Sequence, residues 1–152
     1  FFFFLLRQKK ITIYNISNHI AIDFINGKNH YFLADQALIN NPAKIKFHIE
    51  NNWHFNDLNS PEIISLENYI SKTIRWENLT IAFVDSNWRD TNDVNIAIII
   101  NTPKLSDELF NNSSVKIIQN GRSFINKLKI NNKLIKNNPT IYDVFKRGSY
   151  IY

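Results

Sequence analysis

Cysteine and methionine are both absent from this sequence, and glycine occurs only 3 times in 152 residues. Without cysteine there is neither a disulfide framework nor a thiolate metal site. The Gly-rich phosphate loop, the dinucleotide-binding fingerprint and the G-x-S-x-G nucleophile turn are missing as well. Such loops need glycine because their backbone takes positive φ angles. The enzyme classes built on these motifs therefore lose support.

The 4 histidines do not form a recognisable metal motif. His19, His30, His48 and His54 are not at the spacing of helical ligands, and neither H-E-x-x-H nor H-x-H occurs. We expect surface or strand histidines, with no metal site, no catalytic residue and no cofactor.

Two apolar runs are present, Leu79–Val84 (LTIAFV) and Val94–Ile100 (VNIAIII). Runs rich in β-branched residues predict strands that are buried on both faces. A third strand is predicted at Val115–Gln119, after a helix over Pro103–Phe110 that begins at a proline. Strand, short helix and strand in this order predict a right-handed parallel crossover. A second helix is predicted over Arg122–Asn138.

Alternating apolar and polar residues predict three antiparallel strands near the N-terminus: Ile11–Ile16, His19–Ile25 and Lys28–Ala34. Asn26-Gly27 is a strong hairpin signal between the last two. Short strands at Ile141–Val144 and Gly148–Tyr152 close the chain. The sequence thus predicts one mixed α/β (α+β) domain over residues 11–152, an antiparallel hairpin region joined to a β-α-β-α-β half.

The stretch between these two parts is less regular. Pro42 is suited to start a short helix, and the Asn-rich stretch Asn51–Ser60 predicts a surface loop. Ser60-Pro61-Glu62 predicts the start of a helix. Tyr69–Trp76 alternates as a strand does, and Glu77-Asn78 predicts a turn into the first apolar run.

Residues 1–10 differ in character from the rest of the chain. Phe1–Leu6 (FFFFLL) is followed by the basic Arg7–Lys10 (RQKK). This order is typical of the end of a membrane helix and its basic flank, whereas a signal peptide has its basic residues first. Since no methionine precedes Phe1, we expect a fragment that follows a truncated membrane span, and the alternative is an apolar N-terminal strand.

The net charge of +5 is concentrated at the two ends of the chain. Residues 116–152 carry eight Lys or Arg against one acidic residue, Asp143, a balance of +7. Five basic residues of the predicted C-terminal helix are candidates for nucleic-acid contact: Arg122, Lys127, Lys129, Lys133 and Lys136. The alternative is a solvated face, because the Asn-, Ile- and Lys-rich composition suggests an AT-rich genome.

Three carboxylates follow the first apolar run, from Asp85 and Asp90 to Asp93. Sites in α/β proteins often form at the carboxyl ends of buried strands, and three carboxylates there could hold Mg²⁺. No general base or anion donor accompanies them, so a solvated loop is the alternative.

Five stretches carry a family resemblance: Tyr14–Asp35 (YNISNHIAIDFINGKNHYFLAD), Ile81–Ser86 (IAFVDS), Asp93–Leu105 (DVNIAIIINTPKL), Lys116–Ser123 (KIIQNGRS) and Thr140–Tyr152 (TIYDVFKRGSYIY). Their order resembles the soluble C-terminal region of ComEC-type competence proteins, the membrane channels of bacterial DNA uptake. In many members this region is a metallo-β-lactamase-like domain with a His/Asp metal cluster proposed to process DNA. The H-x-H-x-D-H motif is absent here. The resemblance therefore implies a reduced metallo-β-lactamase-like fold without its metal site.

The resemblance implies a non-catalytic domain tethered to the bacterial inner membrane, on a side that the sequence does not give. Its implied partners are DNA, held weakly by electrostatics, other parts of the same membrane protein, and other competence proteins. No small-molecule cofactor is implied. Two alternatives stay open: a metal-dependent nuclease that uses the Asp85–Asp93 loop, and a general protein-interaction module.

Overall fold

The described strands form two five-stranded sheets in a computed structural model that describes residues 7–88, 93–101, 116–119, 140–143 and 150–152. In chain order the strands are β1 (Lys9–Ile13), β2 (Ala21–Asn26), β3 (Asn29–Ala34), β4 (Glu62–Ser65), β5 (Thr73–Trp76), β6 (Leu79–Asp85), β7 (Ile96–Asn101), β8 (Lys116–Gln119), β9 (Thr140–Asp143) and β10 (Tyr150–Ile151). The chain divides into two units. Phe1–Asn68 with Gly148–Tyr152 contains the first sheet, and Tyr69–Arg147 contains the second.

Short helices connect β3 to β4. They are α1 (Gln36–Ile39), α2 (Pro42–Ile45), a π-helical turn (Lys46–Glu50) and α3 (Asn51–Phe55). The last three elements continue one another, because the residues at their junctions keep right-handed helical φ and ψ angles. We call residues 42–55 the helical segment. A short 3₁₀ turn, Leu66–Asn68, follows β4.

The first sheet has the order β10-β1-β2-β3-β4, and its three central strands are the antiparallel strands that the sequence predicts near the N-terminus. Its hairpin between β2 and β3 pairs Asn26 with Asn29. Gly27, at the first central position of the turn, has a φ of 65°. Glycine takes this angle without steric cost, and a hairpin of this kind matches the twist of its strands.

The helical segment covers one face of the first sheet. Ile45 and Ile49 are buried in a core cluster that includes Phe32 of β3, and Trp53 packs against the same cluster. These three helical positions recur every four residues, a longer period than the ~3.6 residues of an α-helical turn. A π-helical turn holds more residues per turn, so it keeps all three side chains on the sheet side.

Two sequence predictions in this part are wrong. The predicted loop Asn51–Ser60 begins as a helix, since α3 continues to Phe55. The predicted helix start at Ser60-Pro61-Glu62 is followed instead by β4, which pairs in parallel with β3. Pro61 precedes this strand, where its missing N–H interrupts no ladder, and the β-branched Ile63 and Ile64 suit a strand.

The second sheet has the order β5-β6-β7-β8-β9. β5 and β6 form an antiparallel hairpin through Glu77 and Asn78, and the remaining neighbours are parallel. Ile81–Val84 and Ile96–Ile100 are buried throughout. The prediction that the two apolar runs form buried strands is confirmed, and the structure pairs them side by side in parallel.

The mixed α/β (α+β) class is confirmed, with an antiparallel hairpin region and a parallel half. Several predictions lie outside the described residues: the apolar Phe1–Leu6 and the helices over Pro103–Phe110 and Arg122–Asn138. Lys9 and Lys10 of the predicted basic flank belong to β1. Within the described ranges, none of the helices has the length and hydrophobicity that a bilayer crossing demands.

Candidate functional site

A buried carboxylate lies at the centre of the first sheet. Asp23 of β2 has no exposed surface. Its Oδ2 accepts hydrogen bonds from the Tyr14 hydroxyl at 2.5 Å and from Trp53 Nε1–H at 2.7 Å. Its Oδ1 lies 2.8 Å from His30 Nδ1. The carboxylate therefore joins Tyr14, the residue after β1, to β3 and the helical segment.

His30 forms a buried ion pair with this carboxylate. Its Nδ1 faces Asp23 and its Nε2 lies 2.9 Å from the carbonyl oxygen of Asn59. Both ring nitrogens thus lie within hydrogen-bond distance of an oxygen atom. The hydrogen bonds from Tyr14 and Trp53 occupy the other carboxylate oxygen of Asp23. Polar groups are tolerated inside a protein when they are fully hydrogen-bonded in this way.

The network extends to the surface through two asparagines. Asn52 Nδ2 donates to the Tyr14 hydroxyl at 2.7 Å, and Asn56 Nδ2 donates to Asn52 Oδ1 at 3.0 Å. The Lys10 amine donates to Asn56 Oδ1. Burial raises the pKa of Tyr14, and the charge of Asp23 raises it further, so the hydroxyl remains a donor. Burial lowers the pKa of Lys10, while Asp23 acts in the opposite direction.

These contacts fit a structural role better than a chemical one. Every polar atom of Asp23 and His30 is occupied by a protein partner, and both side chains are fully enclosed. A catalytic acid or base must reach substrate within hydrogen-bond distance, which neither group can do here. The network instead fixes the helical segment on β1, β2 and β3.

A second carboxylate–histidine pair lies at the start of α1. Asp35 caps this helix by accepting from Leu38 N–H at 2.9 Å, and it also accepts from Ile20 N–H at 2.7 Å. His19 Nδ1 lies 3.0 Å from its Oδ1, and Lys44 Nζ lies 3.0 Å from His19 Nε2. Burial alone would raise the pKa of Asp35, but the hydrogen bonds from His19, Ile20 and Leu38 outweigh it and lower that pKa.

The predicted carboxylate site after the first apolar run is only partly described. Asp85 ends β6, and its Oδ1 accepts from the Ser71 hydroxyl and from Asn87 N–H at 3.0 Å. Asp93 is exposed, and Asp90 lies outside the described residues. Asp85 thus has a structural role, joining the turn before β5 to the turn after β6 at the open end of this hairpin. In the described part of the chain, no three His, Asp or Glu side chains are grouped to hold a metal ion.

The predicted nucleic-acid contacts all fall in one undescribed range. Arg122, Lys127, Lys129, Lys133 and Lys136 lie outside the described residues. Their assignment stays a prediction that rests on the charge balance of residues 116–152.

Sequence reasoning missed both carboxylate–histidine pairs. One signal was available for the first. With Asn26 opposite Asn29 across a two-residue turn, Asp23 lies opposite Phe32 and His30 lies opposite Ile25. Asp23 and His30 are then diagonal neighbours on one face of the hairpin. The second pair has no such signal, because it depends on a turn between Ile16 and His19.

Comparison with known proteins identifies one family. The family model of the ComEC C-terminal domain matches residues 11–152. No curated protein and no solved structure matches the chain. The metallo-β-lactamase-like character of the fold therefore stays a prediction.

Proposed function

The chain belongs to the ComEC C-terminal domain family, and on that premise we propose that it is a non-catalytic domain of a membrane DNA-uptake protein. The family is one of competence proteins that take up DNA. The observation that carries the proposal is the family match over residues 11–152. Within the membrane protein the domain serves as a scaffold, tethered by a preceding span, that contacts DNA, neighbouring domains or other competence proteins.

Two features of the described residues support the non-catalytic role. The carboxylates with the most partners, Asp23 and Asp35, are buried and hold β-strands and helices together. Asp85, the candidate ligand next to a buried strand, is occupied by Ser71 and Asn87. Groups engaged in this way are poor ligands for a catalytic metal.

A cleavage assay tests the absence of catalysis. The 152-residue chain should not cut single- or double-stranded DNA with Mg²⁺, Mn²⁺ or Zn²⁺ present. Asp93→Asn is the matched variant for the nuclease alternative, since this exposed carboxylate can be changed without disturbing packing. Metal-dependent cleavage that Asp93→Asn or Asp85→Ala abolishes would establish the nuclease instead.

The DNA contact is proposed at the basic C-terminal residues. Each phosphate that Lys or Arg neutralises releases counterions, so affinity should fall steeply as salt rises. Changing four residues to Gln, Lys127, Lys129, Lys133 and Lys136, should remove most of the affinity for both single and double strands. The control changes four lysines from other parts of the chain, Lys9, Lys28, Lys72 and Lys104, to Gln. An equal loss of DNA affinity in the two variants would mean that only the net charge of the chain matters, and that the C-terminal lysines form no specific contact.

A further inference from the structure

One imidazole ring bridges the first two helices. His19 lies in the connection between β1 and β2, and its side chain is 11% exposed. Its Nδ1 lies 3.0 Å from Asp35 Oδ1 at the start of α1, and its Nε2 lies 3.0 Å from Lys44 Nζ in α2. Both helices are packed into the core cluster of the first sheet, through Leu38 and Ile45. The ring therefore ties the start of the helical segment to the cap of α1.

The two contacts require different states of the two ring nitrogens. Burial opposes ionisation of Asp35, but hydrogen bonds from His19 and from backbone N–H groups lower its pKa, so its carboxylate is an acceptor. Nδ1 therefore carries the proton of that contact. A lysine ammonium has three N–H donors and no lone pair. The hydrogen bond between Lys44 and Nε2 thus exists only while Nε2 is unprotonated.

Protonation of the ring changes the two contacts in opposite directions. A proton on Nε2 removes the acceptor for Lys44 and leaves two cationic groups in contact, which repel each other. The same charge strengthens the hydrogen bond to Asp35, because donor and acceptor are then both ionised. Lys44 must move away, while Asp35 keeps its partner and continues to cap α1.

The neighbouring charges favour this outcome. Glu67, in the 3₁₀ turn after β4, accepts a hydrogen bond from Gln36 N–H at 3.1 Å, so a second carboxylate lies beside the start of α1. Residues 15–20, which carry His19, contain no Asp, Glu, Lys or Arg. Both carboxylates stabilise a positive ring, so protonation is made at the expense of the contact with Lys44. The helical segment has four further ionisable residues: Lys46, His48, Glu50 and His54.

We propose that His19 is a pH-sensitive switch, which holds Lys44 and the first turn of the helical segment only while its ring is neutral. In acid the ring pairs with Asp35 alone. The first turn is then held by its Asn41 cap and by the burial of Ile45. This inference is independent of the proposed function, because it requires neither DNA nor a membrane.

A double-mutant cycle at two pH values tests the switch. His19→Asn keeps an amide nitrogen for Asp35 but lacks Nε2, and Lys44→Met keeps the length of the stem but removes the amine. Urea unfolding of wild type, both single variants and the double variant is followed at pH 8 and pH 5, on either side of the ordinary imidazole pKa of about 6.5. At pH 8 the coupling should favour folding by about threefold to fivefold in the unfolding equilibrium constant. At pH 5 it should fall to about onefold or below, because the two groups then repel.

A second cycle controls for net charge. It combines His54→Asn with Lys44→Met, because His54 is an exposed histidine of the same segment, and its coupling should not change with pH. Three results would each overturn the switch: equal coupling of His19 and Lys44 at both pH values, no coupling at pH 8, or the same pH change in the His54 cycle.

Hydrogen exchange gives the same comparison on wild type alone, should a variant fail to fold. Amide protection of residues 44–48 relative to β2, corrected for the intrinsic exchange rate at each pH, should fall by about threefold to fivefold between pH 8 and pH 5. A relative protection that does not change with pH would contradict the proposal.

Discussion

The two sheets are filled in different ways. In the second sheet the central strands β6 and β7 bury only apolar side chains over Ile81–Val84 and Ile96–Ile100. In the first sheet the ionisable Asp23 and His30 are enclosed beneath the helical segment. Apolar packing tolerates small shifts of one side chain past another, whereas hydrogen bonds to a buried charge require one arrangement.

This difference predicts opposite responses to mutation. Each fully buried apolar side chain contributes about 1.5–3 kcal/mol through removal from water, and conservative changes lose a small part of that. A buried ion pair contributes little net stability, because desolvation offsets the attraction between its charges. Removing one member is nevertheless costly, because the other is left buried and unpaired. The second sheet should therefore tolerate the exchange of one buried apolar residue for another. The first sheet should be destabilised when a single buried hydrogen-bonding atom of Asp23 or His30 is removed.

The largest effect is expected from Ile98→Asp in β7. Ile98 is fully buried, and its strand lies between two parallel neighbours. A carboxylate there would be unpaired and far from water, which should cost more than about 4 kcal/mol and unfold the second unit. Circular dichroism measures the loss of folded structure, and the melting temperature measures the loss of stability. Ile98→Val is the control and should cost only about 1 kcal/mol. A folded, soluble Ile98→Asp would show that β7 is not central.

The next effect concerns the buried ion pair. Asp23→Asn keeps the shape of the side chain but replaces one of two buried acceptor oxygens, which contact His30 and Trp53, with an NH₂ group, and we expect a loss of about 3 kcal/mol in unfolding free energy. Asp57→Asn is the matched control, because Asp57 pairs with Lys28 at 2.5 Å while its side chain is 54% exposed. That exposed pair should contribute less than about 1 kcal/mol. Similar losses in urea unfolding would mean that burial does not distinguish the two pairs.

Local patterns predicted much of the fold. The runs in β6 and β7 and the hairpin at Gly27 were predictable because burial on both faces and a two-residue turn are both encoded by neighbouring residues. β4 was not, because Ile63 and Ile64 fit a helix or a strand, and only pairing with β3 decides between them. In the helical segment Ile45, Ile49 and Trp53 recur every four residues. This period matches neither the two residues of a strand nor the ~3.6 residues of an α-helix, so it did not predict the π-helical turn.

The candidate sites were less predictable than the fold. Side-chain partners such as Asp35 and His19 depend on loop geometry that no periodic pattern encodes. The exposure of Phe47 was equally hidden, since Lys44–Glu50 alternates in the way a strand does, while the chain there is helical. What decided between the two was tertiary packing of Ile45 and Ile49 on the sheet.

A moderate, pH-dependent effect is expected from Asp35→Asn. The lowered pKa of Asp35 means that the folded state binds fewer protons than the unfolded state in acid. Its contribution is therefore present above the usual Asp pKa of about 4 and is lost as pH falls through the folded-state value. Asn still caps α1 but loses the charge that faces His19, so about 1–2 kcal/mol should be lost at neutral pH.

Urea unfolding from pH 7 downward measures this contribution. The wild-type free energy of unfolding should fall more steeply below about pH 4 than that of Asp35→Asn, so that the two curves converge in acid. Parallel curves would show that Asp35 titrates alike in the folded and unfolded states.

The smallest effects are expected at the two hairpin turns, one in each sheet. Gly27 has a φ of 65° and Glu77 a φ of 52°, each at the first central position of a two-residue turn. Gly27→Ala should destabilise the first unit by about 1 kcal/mol, because a Cβ is strained at this angle. Glu77→Gly relieves the same strain in the second sheet, and the added freedom of the unfolded chain offsets part of the gain. The melting temperature should therefore fall for Gly27→Ala and rise slightly for Glu77→Gly. Shifts of the same sign would mean that these turns do not control the stability of their hairpins through φ.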